Sequence, residues 1–234
     1  MVFGGSRGIG AAIAKRLAQD GFGVALTYLS SPEKAQQLVD EIDAHGGKSF
    51  AVRADNAAPS AIDAAVAQTI ETFGRLDVAV VNAGILRLGL VDAVSIDDLD
   101  RSLAVNVRGV FLAAQAAARH MADGGRIITI GSNTAIRTGS PGSSVYAMTK
   151  AAVAAMVKGV ALDLAPRRIT VNNIQPGPTE TDMTSSMVER LKDIVPLRRV
   201  GRPEEIAGLA SYLAGPQSGY MTGSSLTIDG GFVL

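Results

Sequence analysis

The chain has 234 residues, 22 of them basic and 22 acidic, so its formal net charge is zero and it lacks the basic excess of a nucleic-acid-binding protein. It contains no cysteine, which excludes disulfides and thiolate metal sites and is compatible with a reducing cytoplasm, where we expect the protein. No apolar run is judged long enough to span a membrane, and no secretory signal precedes the first glycine turn, so no membrane partner is expected. The balanced charge likewise predicts no nucleic-acid partner.

Short apolar segments alternate with helical segments along the whole chain, which predicts a parallel sheet covered by helices on both faces. A short first strand precedes Gly4, and further strands are predicted at 24–28, 48–53, 77–82, 126–131, 169–175 and 225–228. Helices are predicted at 9–20, 32–45, 60–73, 97–121, 145–165 and 203–213. We therefore expect residues 1–234 to form one α/β domain with a Rossmann-type, doubly wound parallel sheet of about seven strands.

A glycine-rich turn at residues 3–10 joins the first strand to the first helix. It contains Gly4, Gly8 and Gly10, and a strongly helical run follows it. Glycines at such a turn let the backbone approach a pyrophosphate, and the helix N-terminus adds free N–H groups. The turn therefore predicts a dinucleotide site, although a tight loop that binds nothing has the same composition.

The end of the second predicted strand indicates which dinucleotide is preferred. Proteins that prefer NAD place a carboxylate there, against the ribose 2′-hydroxyl, whereas Tyr28 occupies that place here. The Arg7 guanidinium could bind a 2′-phosphate, and Ser30 and Ser31 could donate hydrogen bonds. We predict NADP rather than NAD. In the alternative, Arg7 is a solvated loop charge and Ser31 only caps a helix.

Tyr146 and Lys150 lie four residues apart in a predicted helix, downstream of Ser132 at the end of an apolar strand. Residues at this spacing share a helix face, so the ammonium can favour the phenolate and lower the tyrosine pKa. A tyrosine tuned in this way can exchange a proton with a substrate oxygen near neutral pH. The Tyr-x-x-x-Lys pattern alone also fits an ordinary amphipathic helix, but the accompanying motifs favour the catalytic interpretation.

Together these motifs resemble the short-chain dehydrogenase/reductase family over essentially the whole chain. The glycine turn of that family matches residues 3–10, its Asn-Ala-Gly motif matches residues 82–84, and its Pro-Gly segment matches Pro176 and Gly177. The four active-site residues of the family match, in chain order, Asn106, Ser132, Tyr146 and Lys150. Both ends of the chain are similar to the branch of 3-oxoacyl-carrier-protein reductases and carbonyl reductases.

The resemblance implies an NADPH-dependent reductase that converts a ketone or 3-oxoacyl carbonyl to a secondary alcohol. Tyr146 would protonate the carbonyl oxygen, Ser132 would hydrogen-bond the same oxygen, and Lys150 would also hold the nicotinamide ribose. Asn106 would anchor a water that links Lys150 to solvent, and an asparagine within a helix is unfavourable enough to suggest a specific task. In the alternative, both residues have structural roles: Ser132 caps the strand end and Asn106 satisfies backbone groups.

The resemblance also implies the cofactor contacts. Asp55 and Asn56 would lie by the adenine, although Asp55 could equally cap a loop, and Thr179 and Thr181 would hold the nicotinamide carboxamide. The complete predicted set is Gly4, Ser6, Arg7, Gly8, Ile9, Gly10, Tyr28, Ser30, Ser31, Asp55, Asn56, Asn82, Ala83, Gly84, Tyr146, Lys150, Pro176, Gly177, Thr179 and Thr181. No metal ligand set is predicted.

Two larger features also follow from the resemblance. Residues near 180–200, with Met183, Met187 and Val188, are expected to form a lid over the substrate, and their apolar character suits a lipophilic carbonyl compound. These residues could instead pack onto the core. The alanine-rich helices at 103–121 and 145–165 are expected to build a homotetramer, although small apolar faces also suit packing within one subunit.

The chain departs from the family pattern in two places. Phe3 replaces the usual threonine and only two residues precede it, so either the first strand loses ladder hydrogen bonds or the N-terminus lies upstream. Relatives that use acyl carrier protein have two basic positions; Arg167 matches one and Asp123 occupies the other, which favours a general carbonyl reductase. The alternative function is a non-catalytic nucleotide-binding or sensing protein on the same scaffold.

Overall fold

The computed structural model describes residues 1–182 and 184–234. Within these ranges the chain forms one seven-stranded parallel sheet in the order β3-β2-β1-β4-β5-β6-β7. The strands are β1 Val2–Phe3, β2 Val24–Tyr28, β3 Ser49–Arg53, β4 Val78–Val81, β5 Arg126–Ile130, β6 Thr170–Pro176 and β7 Ser225–Ile228. The α-helices are α1 Gly8–Gln19, α2 Pro32–Ala44, α3 Pro59–Phe73, α4 Ile96–Leu103, α5 Gly109–His120, α6 Ser144–Leu164, α7 Val188–Ile194 and α8 Pro203–Ala214. The predicted doubly wound α/β fold is confirmed.

Apolar side chains are buried on both faces of the sheet, which explains why its central strands read as continuous apolar runs. One core joins the sheet to α3, α5 and α6 through residues such as Ile62, Ala113 and Val153. The other joins it to α1, α2 and α8 through residues such as Ile13 and Leu213. The strand order turns back between β1 and β4, so the carboxyl ends of these two central strands flank the crevice where ligands bind in such folds.

Strand β1 is short, as the sequence predicts, but it is fully integrated in the sheet. Val2 pairs with both β2 and β4, and the Phe3 carbonyl accepts a hydrogen bond from the Asn82 N–H at 3.1 Å. The Phe3 side chain is buried in the core on the side of α3 and α5. A bulky apolar residue at this position therefore contributes core contacts as the strand enters the glycine turn.

The continuous helix predicted at 97–121 is wrong in one respect. A π-helical segment, Ala104–Arg108, separates α4 from α5, and the Gly109 N–H bonds to the Ala104 carbonyl across the wider turn. A Cβ on Gly109 would lie 2.2 Å from the Asn56 carbonyl oxygen, so this crossing requires glycine. Wide turns of this kind often occur at functional sites, and this one carries Asn106.

Helix α6 corrects the expectation that no segment could span a membrane. By length and composition alone, the stretch Ser144–Arg167 qualifies, with a mean hydropathy of 1.4. Its apolar character has a local explanation, because Val153 and Val157 pack into the core while small residues occupy much of the remaining surface. The helix also carries Tyr146 and Lys150.

Candidate active site

A cavity of about 310 Å³ lies over the carboxyl ends of the central strands. Many of the predicted site residues line it together. They are Ile9, Asn82, Gly84, Ser132, Tyr146, Lys150, Pro176, Gly177, Thr179 and Thr181. They come from the carboxyl ends of β4, β5 and β6 with the loops that follow, from the start of α1 and from α6, so the fold assembles one site from motifs spread over most of the chain.

Tyr146, Lys150 and Ser132 form the polar part of this cavity. The Lys150 Nζ lies 5.7 Å from the centre of the Tyr146 ring and donates a hydrogen bond to the Ile130 carbonyl at 2.9 Å. The Ser132 Oγ accepts hydrogen bonds from the Thr134 N–H at 3.2 Å and from the Thr134 hydroxyl at 3.0 Å. Because both bonds use Ser132 as the acceptor, its own proton is available to an oxygen in the cavity.

The predicted lowering of the Tyr146 pKa is wrong, because burial raises this pKa above its ordinary value near 10 and outweighs the opposing effect of the Ser132 hydroxyl. Burial also lowers the pKa of Lys150 to about 8. At neutral pH the site therefore holds a protonated phenol and an ammonium. This is the protonation state of a proton donor rather than of a phenolate base.

Asn106 supports the floor of the site through its side-chain amide. Its Oδ1 accepts a hydrogen bond from the Ile85 N–H at 2.8 Å, and its Nδ2 donates to the Ile85 carbonyl at 2.8 Å. A further bond joins Nδ2 to the Thr149 Oγ1 at 3.3 Å. Asn106 is fully buried and does not line the cavity. Its side chain holds the loop after β4 against α6. The bonds to the Ile85 N–H and carbonyl are those expected in the alternative in which Asn106 satisfies backbone groups.

The glycine turn is built for close backbone packing. Gly4 has a φ of +71°, and a Cβ there would lie 2.8 Å from the Ala83 Cα. A Cβ on Gly10 would lie 2.2 Å from the Gly4 carbonyl oxygen and 2.5 Å from the Asn82 Nδ2. The Asn82 amide donates to the same Gly4 carbonyl at 2.7 Å, which ties the turn to the end of β4.

The N-terminus of α1 faces the same region with its backbone N–H groups available. Arg7 occupies the N-cap position without a side-chain cap bond, and the first turn contains no acidic residue. Free N–H groups and the positive end of a helix dipole favour a phosphate group. Together with the packed glycines, this end of α1 fits the pyrophosphate of a dinucleotide.

Two cationic side chains, Arg7 and Lys34, contact the same carboxylate beside this turn. Asp182 Oδ2 lies 2.9 Å from the Lys34 Nζ and 3.9 Å from the Arg7 Nη1. These contacts hold the pKa of Asp182 below its usual range, mainly through the hydrogen bond from Lys34. The sequence analysis missed Lys34, which lies in the first turn of α2 beyond the strand end where a phosphate-binding residue is usually sought. Four predicted residues lie outside the cavity: Ser6 within the glycine turn, Tyr28 at the end of β2, and Ser30 and Ser31 after it.

The predicted adenine residues make some of their hydrogen bonds within the protein. The Asp55 carboxylate accepts hydrogen bonds from Arg101 at 3.1 and 3.2 Å and from the Ala57 N–H at 2.9 Å. Asn56 is buried, and its amide donates to the Val105 carbonyl at 3.3 Å. Asp55 caps the loop, as in the alternative, and its place beside the adenine stays a prediction. Asn56 packs below the surface against the π-helical segment, and its buried Oδ1 has no hydrogen-bond partner among the described residues.

The segment predicted as a lid is tied at its two ends. The Gly201 N–H bonds to the Pro178 carbonyl at 2.8 Å, and the Glu180 N–H bonds to the Gly201 carbonyl at 2.9 Å. Between these bonds lie a 3₁₀ turn, Ser185–Met187, and α7. Met187 lines the cavity, Val188 does not, and Met183 lies outside the described residues.

The lining of the cavity is largely apolar. Its apolar lining residues are Ile85, Leu86, Leu88, Met187, Leu191, Ile194 and Phe232. Phe232 is held from the C-terminal segment by Arg137, whose guanidinium lies 5.6 Å from the ring centre and donates to the Phe232 carbonyl at 2.7 Å. Within residues 1–182 and 184–234, no group of three or more His, Asp or Glu side chains is arranged to hold a metal.

Comparison with known proteins identifies the family. The family model described as enoyl-(acyl carrier protein) reductase matches residues 4–233. A short-chain dehydrogenase/reductase from Serratia marcescens is 53% identical, with a TM-score of 0.97, over 100% of this chain and 96% of that chain. A short chain dehydrogenase from Burkholderia cenocepacia, solved in complex with NADP, is 47% identical with a TM-score of 0.97 over the same shares.

Two further relatives differ in function. A 3-oxoacyl-[acyl-carrier-protein] reductase from Synechocystis is 40% identical over 100% of this chain and 96% of the relative. A cyclic-di-GMP-binding biofilm dispersal mediator protein from Escherichia coli is 40% identical over 99% of this chain and 95% of the relative. The two are equally identical to this chain, so overall similarity does not choose between a reductase and a nucleotide-binding mediator.

Proposed function

We propose a reductase function for this chain, which belongs to the short-chain dehydrogenase/reductase family. The reaction is NADPH-dependent reduction of a ketone or 3-oxoacyl carbonyl to a secondary alcohol. The observation that carries this proposal is the joint placement of Ser132, Tyr146 and Lys150 in one cavity of about 310 Å³ with Asn82 and Thr179. A proton donor, a hydrogen-bond donor and a cation thereby face the same space.

The protein manages the proton and the oxygen of the substrate. A bound nicotinamide supplies the hydride. Tyr146 donates its proton to the carbonyl oxygen, since its raised pKa keeps it protonated at neutral pH. Ser132 donates a hydrogen bond to the same oxygen and stabilises the negative charge that develops on it. Lys150 is charged below about pH 8, so its ammonium stabilises the phenolate that remains on Tyr146.

NADP is the dinucleotide that the binding region fits best. The packed glycines and the uncapped N-terminus of α1 suit a pyrophosphate. No carboxylate lies at the end of β2, where Tyr28 stands, and the two cations Arg7 and Lys34 lie near enough to share one carboxylate oxygen. The bound NADP of the Burkholderia relative supports the same choice.

The substrate class that the cavity favours is a lipophilic ketone. The cavity that contains Ser132 is lined largely by Leu, Ile, Met and Phe side chains, which favour apolar groups on the substrate. Delivery by an acidic carrier protein is less favoured. Arg167, the one matching basic residue, pairs with Asp123 at 3.2 Å and donates to the Ala118 carbonyl at 2.6 Å. Its charge is therefore already neutralised and its guanidinium held within the subunit.

A nucleotide-binding or sensing role is the second candidate, and the Escherichia coli relative is the observation that favours it. A protein that only binds a nucleotide can use the glycine turn and the cations beside it. It has no use for a buried lysine and tyrosine at the far end of the cavity, and burying a lysine is costly. The reductase therefore accounts for more of the site.

Assembly into a homotetramer in the cytoplasm completes the proposal. Helix α6 leaves a row of exposed apolar or small residues, including Met148, Leu162 and Gly159. A Cβ on Gly159 would meet no atom within 4 Å, so a second helix could approach closely there. Light scattering during gel filtration tests the tetramer, and Gly159→Gln should weaken it if α6 packs against another subunit.

Turnover of NADPH with a panel of carbonyl compounds tests the reductase. The panel contains a 3-oxoester, an aryl ketone, a cyclic ketone and a carrier-protein thioester mimic, with NADH in a parallel set. Tyr146→Phe removes the proton donor and keeps the ring, so we expect a 10²- to 10⁴-fold loss of kcat, as is typical for a general acid, with NADPH affinity nearly unchanged. Tight NADPH binding with no turnover of any carbonyl would replace the reductase by the sensing role.

A further inference from the structure

We propose that Asp182 is an internal competitor for the 2′-phosphate of NADPH and thereby sets how strongly this chain prefers NADPH over NADH. This inference rests on the proposed NADPH-dependent function. The geometry behind it is a single carboxylate oxygen shared by two cations, the Lys34 Nζ at 2.9 Å and the Arg7 Nη1 at 3.9 Å. Lys34 is thereby assigned to the cofactor site with Arg7.

The two cations come from the two elements that frame the adenosine end of a dinucleotide. Arg7 precedes α1 in the glycine turn, and Lys34 lies in the first turn of α2, directly after the end of β2. A 2′-phosphate carries a charge of about −1.5 to −2 at neutral pH, compared with −1 for a carboxylate, and it offers more acceptor oxygens. The phosphate therefore outcompetes Asp182 for these cations, but the affinity that it gains is reduced by the contacts it displaces.

Solvent exposure keeps the ion pairs of Asp182 weak enough for a phosphate to displace them. The side chains of Arg7, Lys34 and Asp182 are 60%, 54% and 62% exposed. Ion pairs at such positions are weak and screened by salt, so the carboxylate can leave without a large loss of stability. NADH has a 2′-hydroxyl at this place and does not require Asp182 to leave. The carboxylate therefore lowers NADPH affinity and leaves NADH affinity nearly unchanged.

Asp182 also lies next to the tied base of the lid. The Glu180 N–H donates to the Gly201 carbonyl, and the Thr181 N–H donates to the Thr184 Oγ1 at 3.1 Å. Thr181 and Thr184 line the cavity, so Asp182 directly follows a residue of the cavity lining.

Binding measurements on Asp182→Asn test the proposal without using turnover. Isothermal titration calorimetry gives the Kd of NADPH, NADH, adenosine 2′,5′-bisphosphate and 5′-AMP at low and high salt. We expect Asp182→Asn to bind NADPH and the bisphosphate about two- to fivefold more tightly than the unsubstituted protein, a size set by exposed ion pairs. NADH and 5′-AMP should change less than twofold, and high salt should reduce the difference.

Asp193→Asn is the matched control, because it removes the same charge from an exposed position of the same segment. It should leave all four affinities unchanged. Equal tightening in both variants would reduce the effect to net charge and overturn the proposal, as would an unchanged NADPH affinity in Asp182→Asn. In a Lys34→Gln background, the gain from Asp182→Asn should shrink, because the main partner of the carboxylate is gone.

The two proposals fail in different ways. If the unsubstituted protein binds neither NADPH nor NADH, the proposed reductase fails and no competition exists. If it binds NADPH and turns over a ketone while Asp182→Asn binds NADPH no more tightly, the reductase stands and only the role of Asp182 fails. Thermal unfolding of each variant verifies that the exposed substitutions leave the fold intact.

Discussion

Replacing Asn106 by alanine separates a structural role of this residue from a role in proton relay. The substitution removes the acceptor for the Ile85 N–H and the donor for the Ile85 carbonyl, both at 2.8 Å. A buried polar group left without a partner costs about 1–3 kcal/mol. Ile85 is only half-buried, so the low part of that range applies to each group and the total is about 2–3 kcal/mol. For a domain of this size, this corresponds to a fall in Tm of about 4–12 °C.

Thermal unfolding and steady-state turnover measured on the same samples test this estimate. Asn106→Asp is the second variant, since it keeps the acceptor for the Ile85 N–H but directs an oxygen at the Ile85 carbonyl. It should be destabilised at neutral pH and recover part of its stability in acid, where protonation restores a donor. An Asn106→Ala protein that unfolds within about 1 °C of the unsubstituted protein, yet has lost its activity, would refute the structural role and support the relay.

Three further predictions follow from the site and its supports. Gly10→Ala should abolish measurable NADPH binding in calorimetry, because its Cβ would lie 2.2 Å from the Gly4 carbonyl oxygen; tight binding would show that the turn adapts. The kcat for reduction should fall as pH rises through about 8, where Lys150 loses its charge, whereas Lys150→Arg should show no fall in that window. Glu205→Gln should lower Tm by a few degrees at pH 7, because Glu205 accepts two 2.7 Å bonds from Arg199. Its pKa is lowered to about 2, so the difference should be present above pH 4.5 and vanish as pH falls towards 2; a constant difference would exclude this ion pair as the cause.

The sequence predicts most of this fold because its signals are local and repeated. Apolar runs with glycine turns between helical segments specify a parallel sheet, and the motifs that follow the strand ends must then meet at one edge. The π-helical segment at Ala104–Arg108 could not be predicted in this way, since its residues fit an ordinary helix and the wider turn reflects the packing of Gly109 on Asn56. Propensity alone does not contain that contact.

The parts of the site that sequence reasoning missed depend on long-range contacts or on burial. Lys34 meets Asp182 across 148 residues of sequence, and neither residue belongs to a recognisable motif. The direction of the Tyr146 pKa shift depends on how much water the phenol loses, which the spacing to Lys150 does not reveal. Spacing correctly placed the two side chains on one face, but the larger effect on the phenol is desolvation.

Burial acts on Tyr146 and Lys150 in opposite directions, and this sets the protonation state of the site. Burial raises the pKa of the phenol, while the ammonium keeps its charge below about pH 8, so near neutrality both groups hold a proton. In the proposed reaction, reduction of a carbonyl would consume the proton of the phenol and leave a phenolate beside the ammonium, which would relieve the unfavourable burial of an isolated cation. Alcohol oxidation would require the phenolate first, so it is favoured only at higher pH. In the proposed reaction, the phenolate would thus offset the unfavourable burial of Lys150, whose ammonium donates to the Ile130 carbonyl. In a protein that only binds a nucleotide, nothing would offset this burial.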